Sequence, residues 1–363
     1  MTRGVPLTSI QCLRGIAALL VVLSHALQST RATFPGQFSA LNGFFHLREF
    51  GTIGVDIFFV ISGFIMVYVN HEAFGQPRAS IDFLARRIIR ICPLYWLLTA
   101  LLVLLLYFAP RAFNTLMFQP AHVVESLLFI PTSNSAGEYF PVLVVGWTLS
   151  YEMCFYLVFA ILLPTSLRWS LLLTGALFIV TTLVGYWKPP AGPVTYAMVN
   201  PILLEFVFGE YLALWLLRGR ILAPRAAVAV VILVLALFIA QIVAGPLVGR
   251  GLLGRGLPSA ALVFALVCLE HRRRLSLPVW LTRIGDQSYS LYLSHVITIA
   301  VLSKLWVALH VTAWLPVDIW ILLAVIFASI CARTLYYGLE RPMTVRLNAA
   351  WRDLRDTGLP AAR

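Results

Sequence analysis

Ten separate apolar runs, each about long enough to cross a bilayer, constrain this chain more than any other feature. They lie at about 11–28, 51–69, 88–109, 142–163, 169–187, 196–217, 225–243, 251–269, 286–309 and 315–338, bounded by Pro, Gly and charge. A helix needs about 20 apolar residues to span the hydrocarbon core, and in lipid only helices and closed barrels satisfy every backbone polar group. The expected fold is therefore all-α, a polytopic integral membrane helix bundle of about ten transmembrane helices. In 363 residues little room remains for a soluble domain. One integrated membrane domain is expected over 1–340, with a basic tail over 341–363. Gly249, Gly251, Gly254, Gly256 and Pro258 crowd the start of the eighth run and make it the weakest. The stretch 123–130 is too short to span and reads as re-entrant or interfacial.

Composition agrees. Sixty per cent of the residues are hydrophobic and 12% charged, against roughly 45–50% and about 25% in soluble domains, which excludes a water-soluble enzyme. A net charge of +12 would suggest nucleic acid in a soluble chain; in a membrane chain it reports orientation, and no nucleic-acid partner is expected. With the amino terminus in the cytoplasm, 18 of the 27 Lys and Arg fall on that side, from Arg3 to Arg363. Six fall opposite (Arg31, Arg48, Arg111, Lys188, Arg250 and Arg255), while Arg14, Lys304 and Arg333 lie within spans. The positive-inside rule thus puts both termini in the cytoplasm. Arg14 interrupts the first apolar run, so that run reads as an uncleaved helix and not as a signal peptide. Five widely spaced cysteines without a CxxC pattern read as buried free thiols. The longest outer connections are 29–50 and 110–141, and the turn-rich Pro131–Gly137 segment of the second suits a cover over an extracytoplasmic site.

Ionisable groups inside spans mark candidate sites, because an unpaired charge facing lipid costs several kcal/mol. Arg14 and His25 are eleven residues apart in the first helix, which leaves them about 20° apart around the axis and about 16 Å apart along it. A snorkelling arginine and a hydrogen-bonded structural histidine would give the same spacing. Asp56, near the outer end of the second helix in a glycine-containing segment, is placed either to orient His25 or to serve as a helix-end acid. Arg86, Arg87 and Arg90 precede the third helix; they suit bidentate phosphate binding, although topology alone would put arginines there. Glu152 lies near mid-membrane, five residues after Trp147 and next to Tyr151. Glu205 and Glu210 in the sixth helix read as packing or ion-pairing groups. In the ninth helix Ser288, Tyr292 and His295 fall within about 60° of one another, a polar stripe that structural hydrogen bonding would also explain. No metal is expected, since no span has a recognisable ligand spacing.

These elements, in this order, resemble the membrane-bound acyltransferase family 3, whose bacterial members O-acylate surface and secreted polysaccharides. The resemblance rests on Leu13-Arg14-Gly15-Ile16-Ala17-Ala18 with His25 eleven residues after Arg14, on Gly54-Val55-Asp56 to Ser62-Gly63-Phe64, and on the arginine-rich entry to the third helix. It continues through Trp147-Thr148-Leu149-Ser150-Tyr151-Glu152, Phe206-Val207-Phe208-Gly209, Ser288 to His295, and Leu339-Glu340-Arg341-Pro342. Pro141 to Tyr156 is most similar to the rhizobial exopolysaccharide O-acetyltransferase branch. Many members carry a further periplasmic hydrolase-like domain, whereas this chain ends about 25 residues beyond its last apolar run.

The resemblance implies an acyl-CoA co-substrate, acetyl-CoA first, and a polysaccharide or lipid-linked saccharide acceptor, in the bacterial inner membrane and alongside polysaccharide-assembly proteins. It also implies catalytic roles for His25, Asp56 and Glu152, donor binding by Arg14, Arg86, Arg87 and Arg90, and substrate binding by Trp147, Tyr151, Tyr292 and His295. His25 would act as general base towards a sugar hydroxyl or carry the acyl group itself, with Asp56 or Glu152 orienting it. Two rival classes use the same charges: a carrier for a glycan, lipid-linked sugar or small metabolite, and a noncatalytic subunit of an assembly complex. The two halves lack the matching broken helices of an inverted-repeat transporter, which weakens the carrier reading.

Overall fold

A computed structural model describes residues 7–108, 117–245, 251–273, 275, 277–311 and 315–356. Arg3, Ala109, Arg111, Gly249, Arg250, Arg274, Arg363 and the last seven residues of the tail lie outside the described residues. Every regular element among the described residues is a helix, and none of them is a strand. α1 (Thr8–Thr33), the short α2 (Ala40–Phe44) and α3 (Leu47–Phe50), and α4 (Ile53–Asn70) open the chain, followed by α5 (Ala79–Phe108), α6 (Pro120–Leu127), α7 (Trp147–Leu162) and α8 (Leu167–Trp187). Then come α9 (Pro193–Met198), α10 (Leu203–Leu217), α11 (Pro224–Ala244), α12 (Leu257–His271), α13 (Val279–Asp286), α14 (Ser288–Ala308), α15 (Val317–Leu335) and α16 (Arg341–Asp356).

Ten helices among the described residues are long and apolar enough to cross a membrane, and they correspond one to one with the ten apolar runs. The chain is a polytopic membrane helix bundle. The ends differ from expectation where helices carry polar turns. α5 begins at Ala79 instead of 88, and helix continues from α15 through a π-turn at Tyr336–Glu340 into α16. Hydropathy marks only the apolar part of a helix, so its polar first or last turns escape the count. The stretch 123–130 contributes to α6, whose end is held by α5: Tyr95 Oη donates to Ser126 O at 2.9 Å and Trp96 Nε1 to Leu127 O at 2.8 Å.

Two compact units divide the chain: the first holds residues up to Glu72 with Gly175–Trp187 and Val199–Ala332, the second holds Ala73–Thr174, Lys188–Met198 and the residues from Arg333 on. In the first unit α4 crosses α10 at backbone contact. A Cβ on Gly63 would collide with the Phe206 backbone, and one on Gly209 with the Val60 carbonyl. Small residues at such crossings let helix backbones pack closely where lipid supplies no hydrophobic drive. Gly54 makes the same approach to Ala17 and Val21 of α1. Ala18, Val22, Leu291, Trp320 and Ile321 join α1, α14 and α15 in a buried apolar cluster. The start of α1 is capped from α12, where Glu270 accepts from the Thr8 and Ser9 amides at 2.7 and 2.9 Å, satisfying donors that a helix start leaves unpaired.

In the second unit Asp82 of α5 is a hub. It accepts the Trp351 indole N–H of α16 at 2.8 Å, pairs with Arg86, and lies 3.7 Å from the Arg355 guanidinium. α16, the first part of the expected tail, is therefore a helix docked on the amino-terminal turns of α5.

Candidate active site

Two histidines meet in the first unit. His25 Nδ1 is 3.1 Å from His295 Nε2, with ring centroids 4.9 Å apart. His25 also lies 3.0 Å from the Val21 carbonyl through Nδ1, and His295 Nδ1 lies 3.1 Å from the Leu291 carbonyl. Carbonyl oxygens only accept, so these contacts fix the tautomers. His295 donates from Nδ1 to Leu291, and the neutral ring then keeps a lone pair on Nε2. His25 must donate from Nδ1 towards that lone pair and towards Val21. The neutral His25 ring is left with its lone pair on Nε2, which has no protein partner among the described residues. His295 is fully buried while His25 is only half-buried, so the ring with the open nitrogen is the accessible one. Such a pair forms a base with a built-in orienting group, the logic of a catalytic dyad.

Around it, Tyr292 lies 6.0 Å from the His295 ring and 5.9 Å from that of Phe58. Arg14, on the same face of α1, is half-buried near the other end of that helix and hydrogen-bonds Gln11 at 3.4 Å. There Gly15 fits against the Leu281 carbonyl and the Gly285 amide of α13.

Asp56 faces elsewhere. It is hydrogen-bonded to Glu205 of α10, with Arg255 as the neighbouring charge. Arg255 in turn donates to Thr52 Oγ1 and the Glu49 carbonyl. Gly54 fixes which side of α4 meets α1, and Asp56 is two residues, about 200°, further round. Within this unit the expectation that Asp56 orients His25 is corrected: Asp56 is bonded to Glu205, and among the described residues the His25 ring is held by Val21 and His295. Arg255, counted above in an outer connection, is buried in the π-turn Leu252–Gly256 that opens the eighth span, because helix begins within the glycine-rich stretch. Glu205 has Asp56 as its hydrogen-bond partner and Arg255 as a neighbouring charge. Glu210, about 140° further round α10, is fully buried and makes no ion pair among the described residues.

The remaining candidates belong to the second unit. Tyr156 donates to Glu152 one turn away on α7. The Arg87 guanidinium lies 5.6 Å from the Phe83 ring centroid and 5.8 Å from that of Tyr156, a cation–π arrangement, with Glu152 as a nearby charge. Its buried Nε has no hydrogen-bond partner among the described residues. Arg86 is paired with Asp82, whereas Arg90 makes no ion pair among the described residues. Trp147 and Tyr151 meet edge to face at 5.6 Å. Sequence reading missed Tyr156, although its spacing of four from Glu152 places both on one helix face. No three His, Cys, Asp or Glu among the described residues are grouped to hold a metal ion.

Comparison with known proteins places the chain in a family. The exopolysaccharide production protein ExoZ of Rhizobium meliloti (strain 1021) is 37% identical over 315 residues, covering 83% of this chain and 92% of ExoZ. Acyltransferase MdmB of Streptomyces mycarofaciens is 27% identical over 82% of this chain and 80% of its own length. No solved structure matches significantly. The family model described as an acyltransferase domain matches residues 7–336, and the chain belongs to the membrane-bound acyltransferase family 3.

Proposed function

We propose that this chain is an O-acyltransferase of the bacterial inner membrane that moves an acyl group, acetyl first among the candidates, from cytoplasmic acyl-CoA to a hydroxyl of an exopolysaccharide. The observation that carries the reading is the accessible His25 ring, whose Nδ1 is committed to His295 and Val21 and whose Nε2 is open. In the transfer, Nε2 takes the proton of the acceptor hydroxyl as its oxygen bonds to the thioester carbonyl carbon. The C–S bond then breaks, and the imidazolium returns that proton to the thiolate. His295 stabilises the imidazolium by accepting from Nδ1 throughout. Base catalysis of this kind contributes about 10²–10⁴ in rate.

A polyanionic donor fits the residues of the second unit: Arg90 has no ion pair and Arg87 an unpartnered buried Nε among the described residues. These two guanidiniums hold the nucleotide phosphates, while the charge of Arg86 is balanced by Asp82. The similarity to ExoZ, an exopolysaccharide production protein, supports the acceptor class. Purified protein in nanodiscs, given labelled acetyl-CoA and exopolysaccharide, is expected to release free CoA and label the polymer. A carrier would release no CoA, and that outcome overturns the assignment.

A further inference from the structure

Outside the histidine pair, the second unit holds two exposed tyrosines in contact. The rings of Tyr139, in the segment between α6 and α7, and Tyr196, in the short α9 that opens the sixth span, lie 5.5 Å apart at a 59° tilt. They remain 42% and 45% exposed. We propose that Tyr139 and Tyr196, with the Glu138 carboxylate, form a subsite that binds a pyranose unit of the acceptor polysaccharide. This rests on the reading of the chain as an exopolysaccharide acyltransferase, with 117–143 and 188–198 on the extracytoplasmic side.

The argument begins with how Tyr139 is held. Asn134 Oδ1 accepts from the amides of Ala136 and Glu138, both at 3.0 Å, and its Nδ2 donates to Glu138 Oε2 at 3.1 Å. The Asn134 amide donates to the Glu138 carbonyl at 2.9 Å, and Gly137 turns the chain at φ 80°. On the other side of Tyr139, the Phe140 carbonyl accepts from His122 Nε2 at 2.9 Å. Two residues further on, the Val142 amide donates to Ser126 Oγ at 3.0 Å. Thr132 donates to Glu125. His122, Ser126, Thr132 and Asn134 are all buried. These bonds clamp the residues on both sides of an exposed ring, and rigidly held surface positions of this kind are where binding residues concentrate. Tyr196 is fixed too, through its amide to the Gly192 carbonyl at 2.8 Å.

A pyranose has an apolar C–H face and a rim of hydroxyls. A tyrosine ring matches the first, and a carboxylate accepts from the second. Rings already held in place lose little conformational entropy on binding, so even a small contact retains affinity. Tyrosines of a membrane-interface aromatic belt would need no such clamp, and their loss would not change acceptor use.

The test uses an exopolysaccharide-producing bacterium lacking its chromosomal copy, complemented with full-length variants. Acyl groups per polymer repeat are read by proton NMR, and protein in the membrane by immunoblot. Tyr139→Ala and Tyr196→Ala are expected to lower acylation at least fivefold at unchanged protein level, while Tyr139→Phe and Tyr196→Trp, which keep a flat ring, retain at least half. The purified variants should keep the thermal-midpoint shift that acetyl-CoA gives the wild type. If an alanine variant is lost from the membrane, Tyr139→Leu decides, since it keeps apolar bulk without a flat face and should behave as the alanine variant. Normal acylation by the alanine or leucine variants overturns the subsite, as does a Phe variant as impaired as Ala. Failure of the wild type to restore acylation sinks the functional reading instead.

Discussion

His295 Nε2 stands 3.1 Å from His25 Nδ1 and leaves the opposite nitrogen of His25 as the open base. Removing the base and removing its orienter should therefore differ in degree. His25→Ala should lower kcat by about 100-fold or more. His295→Ala should lower it by about tenfold or more with the donor KM unchanged, since the His25 ring then loses its tautomer and its direction. His295→Gln, whose amide oxygen can accept from Nδ1, should recover part of that loss. Labelled acetyl transfer to polymer measures all three, and a glutamine variant no better than alanine argues against orientation through an accepting atom.

Asp56 should prove structural. Its partners are Glu205 and Arg255, and two hydrogen-bonded carboxyls share at least one proton, so Asp56→Asn keeps the bond and should keep kcat close to wild type. Arg255→Ala instead leaves two acids without their buried cation, a change that typically costs about 3–5 kcal/mol. Thermal unfolding in detergent should show the fall for Arg255→Ala and little change for Asp56→Asn. A collapse of kcat in a stable Asp56→Asn protein would return Asp56 to the catalytic machinery.

How much of this was legible beforehand depends on distance along the chain. Each span is a local apolar run and each shared helix face follows from about 100° per residue, so the ten helices and the Arg14–His25 face could be read directly. Contacts between helices could not. His25 and His295 are 270 residues apart, and nothing local to either names the other. Asp56 is an intermediate case: the glycine at position 54 hinted which side of the helix would meet a neighbour, but not that the neighbour is α1. Polar helix ends, such as the first turns of α5 and all of α16, lie outside any apolar count.

The arginines at the start of α5 should differ in importance because their partners differ. A hydrogen bond to a charged group is worth about 1.5–3 kcal/mol, so Arg90→Ala should raise the apparent acetyl-CoA KM about tenfold or more with kcat little changed. Arg87→Ala should do the same and also loosen the packing on Phe83 and Tyr156. Arg86→Ala should have the smallest effect, because Asp82 already balances that charge. Equal KM increases across the three would mean that the Asp82 pair opens when donor binds.

The crossing of α4 and α10 sets the frame on which the Asp56 cluster is built, and glycine chemistry tests it. A Cβ on Gly209 would collide with the Val60 carbonyl, a backbone atom that cannot turn aside. Overpacking of this kind costs about 1–3 kcal/mol, occasionally more, so Gly209→Ala should lower the thermal midpoint by several degrees. Gly175 is the matched control: a Cβ there meets Tyr211 Oη at 3.6 Å and Val207 Cγ1 at 3.7 Å, ordinary contacts. Alanine also stabilises a helix interior by roughly 0.5–1 kcal/mol over glycine, so Gly175→Ala should leave the midpoint unchanged or raise it. Equal losses in the two variants would show that glycine matters here for the flexibility of the helix and not for the close approach of its neighbour.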